Sequence, residues 1–225
     1  MRGLLITFEG TEGCGKSTQI IVLSRRLSNL GHRVHVLREP GGTPIGEEIR
    51  HTLKHSDVNH GMTPETELLL MNASRAQLVR EIIRPALDKG AIVLCDRFYD
   101  STTAYQGYGR GLDLDMVRQT IACAVGKTRP DLTLLLTVCV EVSEARRQGR
   151  LLPGMEQVRD RLEEADRGFF ERVEEGYRKL AAGEPDRVRA IDGTLPVDRV
   201  SQAVWQAVEP LVLRARPELA MKPGG

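Results

Sequence analysis

The chain has 225 residues, 40% of them hydrophobic and 28% charged, and a formal net charge of +1. This composition is typical of a globular protein and predicts a single domain over residues 1–215, followed by a disordered tail at 216–225. The balanced charge gives no indication of a nucleic-acid coat, and no run reaches the ~20 apolar residues of a membrane helix. Since the first residues show no signal-peptide pattern, we expect a cytoplasmic protein without a nucleic-acid or membrane partner.

Five apolar, β-branched runs alternate with helical patterns along the chain. The predicted strands lie at 3–9, 33–39, 91–96, 132–138 and 188–191. The predicted helices lie at 16–30, 44–54, 64–88, 113–126, 141–148, 160–182 and 196–215. Pro85 should end or kink the third helix. Because the strand runs are apolar throughout, the pattern predicts a three-layer α/β/α fold whose five-stranded parallel sheet is covered on both faces. Ligands of such sheets gather at the carboxyl ends of the strands.

A glycine-rich stretch typical of phosphate binding follows the first predicted strand. Gly10, Gly15, Lys16 and Ser17 match the spacing G-x-x-x-x-G-K-[ST], between a strand and a helix. The glycines let backbone N–H groups surround a phosphate, the lysine reaches the β- and γ-phosphates, and the hydroxyl binds Mg²⁺. We therefore predict that the chain binds ATP with Mg²⁺ as the cofactor. The predicted ATP-binding residues are Gly10, Thr11, Glu12, Gly13, Cys14, Gly15, Lys16, Ser17 and Thr18.

Charged residues at two further strand ends favour a kinase over other proteins with this loop. The sequence contains no NKxD or DxxG motif of a GTPase. Arg38 and Glu39 follow the second strand, Asp96 and Arg97 begin a predicted loop after the third, and Arg75 lies on a predicted helix. The Asp96 carboxylate is placed to hold Mg²⁺ with the serine hydroxyl, and the arginines suit a second, anionic substrate. Two alternatives come from other functional classes. One is a P-loop ATPase without a phosphate acceptor, and the other is a paralogue that only binds nucleotide.

These motifs resemble those of bacterial thymidylate kinase, the nucleoside monophosphate kinase that makes dTDP from dTMP and ATP. The resemblance runs from about Leu4 to Val208. It rests on FEGTEGCGKST, REPGGT, SRAQL, DRFYDSTTAYQG and RPDLTLLL, in this order. REPGGT together with AYQG is specific, whereas many families share the phosphate loop. The resemblance implies phosphoryl transfer from ATP to dTMP, in dTTP synthesis, by a homodimer.

The resemblance also implies roles for individual residues. Glu12 matches a carboxylate that contacts the sugar 3′-hydroxyl, and Arg38 and Arg97 match residues that hold the dTMP phosphate. Arg75 matches the arginine at the thymine edge, and Tyr177 matches a position near the sugar. The segment AIDGTLPVDRV resembles the family's adenine-side segment. The implied dTMP-binding residues are Glu12, Arg38, Glu39, Met71, Arg75, Arg97, Thr102, Tyr105 and Gln106.

The arginine-rich stretch at about 146–160 resembles the family's lid, which closes over the transferring phosphoryl group. Some family members carry an arginine in the phosphate loop, where this chain has Gly13. The resemblance therefore implies that a lid arginine takes this role, Arg150 first and Arg146 second. The implied catalytic residues are Lys16, Glu12, Arg97, Arg150 and Arg146.

Three features depart from the family pattern. Met71 stands where a phenylalanine usually stacks on thymine, Thr137 stands where an aspartate is common, and LLPGMEQV lengthens the lid. A thioether packs against a ring less specifically than a phenyl group does. A kinase for dUMP or another pyrimidine monophosphate is therefore the alternative within the same reaction class.

Overall fold

The computed structural model of the chain describes residues 2–56, 59–148 and 166–215. Its strands are β1 (Leu4–Glu9), β2 (Val34–Arg38), β3 (Ile92–Asp96), β4 (Leu132–Thr137) and β5 (Val188–Asp192). All pairings are parallel, and the strand order is β2-β3-β1-β4-β5. The predicted five-stranded parallel sheet is confirmed, with each boundary within one residue of its predicted place.

The helix predicted at 64–88 is interrupted near its end. It runs as α3 to Leu78, widens into a π-type turn at Val79–Ile83, and continues as α4. Pro85 lies in the first turn of α4, where its missing N–H and its ring break the regular hydrogen-bond pattern. The helices are α1 (Lys16–Asn29), α2 (Pro44–Lys54), α3 (Pro64–Leu78), α4 (Arg84–Asp88), α5 (Tyr99–Thr102), α6 (Leu114–Val125), α7 (Val140–Gln148), α8 (Arg167–Gly183) and α9 (Val197–Ala215).

The segment after β3 is helical, so the prediction of a loop there was wrong. Helix α5 continues into a π-type helix at Thr103–Gly109. The Glu9 carboxylate accepts a hydrogen bond from the N–H of Phe98, at the start of α5. Tyr105 packs edge-on against Phe169 of α8, with ring centroids 5.9 Å apart. These tertiary contacts outweigh the low helix propensity of a stretch rich in glycine, threonine and tyrosine.

Both faces of the sheet are covered by helices. On one face, Ile6 and Phe8 pack in a core with residues of α1 and α9. On the other face, Leu5 and Val93 pack with residues of α3 and α6. This confirms the predicted three-layer α/β/α architecture. Within the parts of the chain that the structure describes, no helix combines the length and apolar character that a membrane crossing requires.

The strand order places the carboxyl ends of β1, β2 and β3 side by side. β3 lies between β2 and β1, and all three strands run in the same direction. The segments that follow these strands therefore meet at one edge of the sheet. This edge carries the phosphate loop and the charged residues that the sequence indicated.

Candidate active site

The loop between β1 and α1 has two glycines in backbone conformations that other residues rarely adopt. Gly10 has a φ of 130°, and Gly15, the N-cap of α1, has a φ of 102°. A Cβ atom on Gly10 would lie 2.3 Å from the carbonyl oxygen of Leu136. The loop therefore depends on glycine to bring its backbone to the N-terminus of α1, where an anion is stabilised.

The ammonium group of Lys16 lies within this loop. Its Nζ atom donates to the carbonyl oxygens of Gly10 at 3.2 Å and Thr11 at 3.0 Å, and the side chain is buried. Carbonyl oxygens stabilise an ammonium ion without neutralising it. The positive charge is therefore available to an anion that the loop surrounds.

Ser17 and Asp96 bring two oxygen atoms together beside the loop. The hydroxyl of Ser17 donates to Oδ2 of Asp96 at 3.2 Å. The pairing of β1 with β3 causes this contact between residues far apart in the sequence. Hydroxyl and carboxylate oxygens are the ligands that Mg²⁺ prefers, so these residues fit the predicted metal.

Arg97 directs its guanidinium group toward hydroxyl groups from two helical segments. Its Nη1 donates to Ser101 at 3.0 Å and to Tyr177 at 3.2 Å, and its Nη2 donates to Tyr105 at 3.1 Å. The Glu12 carboxylate lies 4.0 Å away. Arg97 also has a φ of 70°, a left-handed conformation that non-glycine residues seldom adopt. A strained backbone at the end of β3 thus orients a partly exposed cation.

Arg75 is buried and held by four different partners. Its Nε donates to Glu39 at 2.8 Å and its Nη1 to Asn72 and Thr102, each at 2.9 Å. Its Nη2 donates to the carbonyl oxygen of Phe98 at 3.2 Å. A guanidinium group has five N–H bonds, and these contacts use four. One N–H bond of Nη2 is therefore left for a ligand.

Glu39 is a buried carboxyl group with one unpaired oxygen. Burial raises its pKa to about 7, although Arg75 next to it lowers the pKa and the Glu9 carboxylate adds to the rise. Its Oε1 atom has no hydrogen-bond partner. A buried polar atom without a hydrogen-bond partner raises the free energy of the folded state. This oxygen is therefore a candidate for contact with a ligand.

We expect Glu39→Gln to flatten the dependence of stability on pH. The pKa of this carboxyl is higher in the folded chain, about 7, than the ordinary value of 4.5. The folded state therefore binds more protons between these values, and the free energy of unfolding falls as the pH rises. Relative to the variant, the wild type should lose about 1–3 kcal/mol between about pH 5 and pH 8. Urea unfolding across this range measures the effect, with the exposed Glu48→Gln as control. Parallel profiles of wild type and Glu39→Gln would contradict the assignment.

Most of the predicted site residues line two adjoining clefts. The first, here called the Arg75 cleft, contains Glu12, Glu39, Met71, Arg75, Arg97, Thr102, Tyr105 and Gln106. The second, the phosphate-loop cleft, contains Glu12, Gly13, Gly15, Lys16, Ser17, Arg38, Glu39, Asp96 and Arg97. Because Glu12, Glu39 and Arg97 line both clefts, a ligand in one can contact a ligand in the other. Arg38 lies in the phosphate-loop cleft, where it pairs with Glu47 at 3.1 Å.

Comparisons with known proteins identify the family of this chain. The family model for thymidylate kinase matches residues 8–204. A thymidylate kinase of Geobacter sulfurreducens is 50% identical over 90% of this chain and 94% of its own length. Another, of Thermomicrobium roseum, is 47% identical over 94% of this chain and 97% of its own length. The chain belongs to the thymidylate kinase family. It is thus a member of the nucleoside monophosphate kinases, as its motifs predicted.

A solved thymidylate kinase has the same fold. The crystal structure of the enzyme from Ehrlichia chaffeensis has a TM-score of 0.73 and 31% sequence identity to this chain. The match covers 93% of this chain and 99% of the other. The predicted P-loop kinase fold and family resemblance are therefore confirmed.

Of the two implied lid arginines, the structure describes Arg146 and not Arg150. Arg146 of α7 donates from Nη1 to the carbonyl oxygen of Gly193 at 2.7 Å. Gly193 belongs to the segment that resembles the adenine side of thymidylate kinases, so Arg146 links the start of the implied lid to that segment. Arg150 lies outside the described residues, as do most of the implied lid and the tail at 216–225.

The remaining predicted ATP-binding residues occupy the loop and the first turn of α1. Thr11 and Cys14 are buried, and the Sγ of Cys14 accepts a hydrogen bond from Nζ of Lys16 at 3.6 Å. Thr18 is exposed on α1. Tyr177 donates to the Glu9 carboxylate at 2.9 Å and accepts from Arg97, but it is not one of the residues that line the Arg75 cleft.

The implied dTMP-binding set lacks four residues of the Arg75 cleft. They are Pro40, Lys54, Ser101 and Phe170. Pro40 and Ser101 lie inside the quoted motifs and could have been included from their position beside Glu39 and Arg97. Lys54 and Phe170 come from α2 and α8, and no local pattern indicated them. Phe170 gives the cleft a phenyl ring in addition to the thioether of Met71.

Proposed function

We propose that this thymidylate kinase transfers the γ-phosphoryl group of ATP to dTMP, giving dTDP and ADP. The observation that carries the proposal is the pair of adjoining clefts with Glu12 and Arg97 in both linings. One cleft contains the phosphate loop, and the other contains a buried arginine and aromatic side chains. A P-loop ATPase without an acceptor would give the second cleft no role.

The phosphate-loop cleft holds the triphosphate and offsets its charge. Lys16 exchanges its carbonyl partners for the β- and γ-phosphate oxygens. Ser17 and Asp96 are the residues that would hold Mg²⁺, which neutralises phosphate charge when bound. Positioning and electrostatic stabilisation account for most catalysis in such transfers.

The Arg75 cleft holds dTMP with its phosphate toward the triphosphate. Arg97 lies where the clefts meet, its hydrogen-bond partners there are neutral hydroxyls, and the Glu12 carboxylate lies no nearer than 4.0 Å, so its charge can pair with the dTMP phosphate. Arg38, which also lines the phosphate-loop cleft, would leave Glu47 for the phosphate. No general base is required, because the attacking phosphate oxygen is already ionised.

An arginine of the implied lid would contact the phosphoryl group during transfer and help to exclude water from it. Ser143 of α7 donates to the backbone carbonyl of Glu12, and Arg146 holds Gly193. The first contact ties α7 to the phosphate loop, and the second ties the start of the lid segment to the adenine-side segment. They support Arg146 as an anchor of the lid and leave the catalytic contact to Arg150.

We also propose that the chain works as a cytoplasmic homodimer. The family and the absence of a membrane-spanning helix in the described residues support this. On α3, Leu68 and Met71 are buried in the protomer, whereas Leu69 is 60% exposed. An exposed leucine on this helix is compatible with an interface between two copies. Sedimentation equilibrium measures the oligomeric state directly.

An acceptor scan tests the proposed activity. ADP release from ATP and Mg²⁺ is measured with dTMP, dUMP, dCMP, dGMP and dAMP, and without acceptor. We expect rapid release with dTMP, weaker release with dUMP, and no release above background without acceptor. Equal release in the absence of a monophosphate would support an ATPase and contradict the proposal. Faster release with dUMP than with dTMP would assign the other pyrimidine acceptor.

A further inference from the structure

We propose that Glu67 and Arg110 position Gln106 so that its amide carbonyl recognises the N3–H group of thymine. Gln106 was expected in the base site, whereas Glu67 and Arg110 lie behind it, outside the lining of the Arg75 cleft. The inference rests on the proposed function, because it concerns which base the monophosphate carries.

The three side chains form a buried hydrogen-bonded group. Nε2 of Gln106 donates to Oε1 of Glu67 at 2.8 Å. Arg110 donates to the same carboxylate from Nη2 at 2.9 Å and from Nε at 3.2 Å. The Glu67 side chain is 1% exposed, and that of Arg110 is 18% exposed. The Arg110 guanidinium also lies 4.7 Å from the ring centroid of Phe169, which limits its movement.

This arrangement determines which end of the Gln106 amide contacts Glu67. The two ends of a glutamine amide have nearly the same shape, and hydrogen bonding decides between them. A carboxylate paired with arginine only accepts hydrogen bonds, so the amide nitrogen must face Glu67. The carbonyl oxygen is then the group that Gln106 offers to a ligand in the Arg75 cleft.

A donor lies in the same cleft as this acceptor. Arg75 has one N–H bond of Nη2 without a protein partner, since its other four N–H bonds are used. Thymine and uracil present an acceptor, the C4 carbonyl, beside a donor, the N3–H group. Cytosine presents the opposite order, an amino donor beside the N3 acceptor. The combination of Arg75 and Gln106 therefore accepts an imide edge and rejects cytosine, because a mismatched edge leaves buried polar groups unpaired.

The inference makes a selective prediction for Glu67→Gln. A glutamine at this position can donate as well as accept, so it no longer dictates the orientation of the Gln106 amide. We expect kcat/KM for dTMP and for dUMP to fall together by about tenfold, the effect of one buried hydrogen bond. The value for dCMP should not fall, so the preference for dTMP over dCMP decreases while the preference over dUMP is unchanged. Glu65→Gln, an exposed position on the same helix, is the matched control and should change none of these values.

A double-variant experiment tests whether Glu67 acts through Gln106. In a Gln106→Met background, Glu67→Gln should cause no further change in the ratio of dTMP to dCMP activity. An equal fall in both backgrounds, or an unchanged ratio in the single variant, would overturn the inference. A general structural defect would lower activity with all three acceptors alike, and this result would also contradict it.

Arg110→Lys provides a second test that does not remove the buried carboxylate. A lysine keeps the positive charge but loses the two-point contact with Glu67, so we expect a smaller fall, about threefold, for dTMP and dUMP alone. Circular dichroism confirms that each variant is folded. Failure of the proposed function itself is distinguishable, because the wild-type chain would then show no dTMP-dependent ADP release. If the wild type is active and Arg110→Lys lowers dCMP activity equally, only the inference about Glu67 and Arg110 fails.

Discussion

Replacing Lys16 by alanine is expected to lower kcat by a factor of about 1,000. The Lys16 ammonium lies inside the phosphate loop, where its present partners are the carbonyl oxygens of Gly10 and Thr11. The migrating phosphoryl group carries charge over its peripheral oxygens, and a fixed cation stabilises this charge more in the transition state than in bound ATP. The fold should persist, because the lysine side chain makes no ion pair within residues 2–56, 59–148 and 166–215.

The measurement is the rate of ADP release with saturating ATP, Mg²⁺ and dTMP. Lys127→Ala removes the same charge from an exposed position and serves as the control. Thermal unfolding of both variants separates a catalytic effect from a loss of structure. If folded Lys16→Ala retained more than about a tenth of the wild-type kcat, the assignment of the loop to the transferring phosphoryl group would be wrong.

Arg97→Ala is expected to raise KM for dTMP by about 100-fold, with a smaller fall in kcat and little change in KM for ATP. The Arg97 guanidinium lies where the two clefts meet, and Ser101, Tyr105 and Tyr177 hold it in one orientation. Loss of this cation leaves the monophosphate without a charge-assisted contact on that side. It also removes the group that aligns the attacking oxygen with the γ-phosphate.

Arg97→Lys is the informative companion to this variant. Lysine keeps the charge but cannot form two parallel hydrogen bonds, so its KM for dTMP should lie between those of the wild type and Arg97→Ala. Initial rates with dTMP and ATP varied separately give both constants. If Arg97→Ala raised KM for ATP and left that for dTMP unchanged, Arg97 would belong to the triphosphate and the two clefts would have to be reassigned.

Much of the fold could be predicted because its signals are local. Each strand is a continuous apolar run between helices, and such runs require a sheet that is covered on both faces. The spacing of Gly10, Gly15 and Lys16 predicted the phosphate loop, because the backbone and charge that bind a phosphate belong to one short segment. Helix α5 and the π-type helix at Thr103–Gly109 were predicted as a loop. Their stability comes from contacts with Glu9 and α8, which no local pattern shows.

The lining of the Arg75 cleft depends more on tertiary structure than the phosphate loop does. The charged residues after β2 and β3 indicated an anionic substrate, because parallel strands place their carboxyl ends at one edge. No local pattern could show that Phe170 of α8 faces the same cleft as Met71 of α3. The same holds for Glu67, which meets Gln106 from a position 39 residues away.

The sequence by itself therefore determined the phosphate loop, the parallel sheet and the presence of a second anionic substrate. Each of these follows from short-range periodicity or from residues adjacent in the chain. The tertiary structure alone decided which donors of Arg75 remain free, which end of the Gln106 amide faces the cleft, and how burial raises the pKa of Glu39. These properties arise from the packing of α3, the Thr103–Gly109 helix and α8, and hydrogen-bond partners and burial exist only once these elements are together.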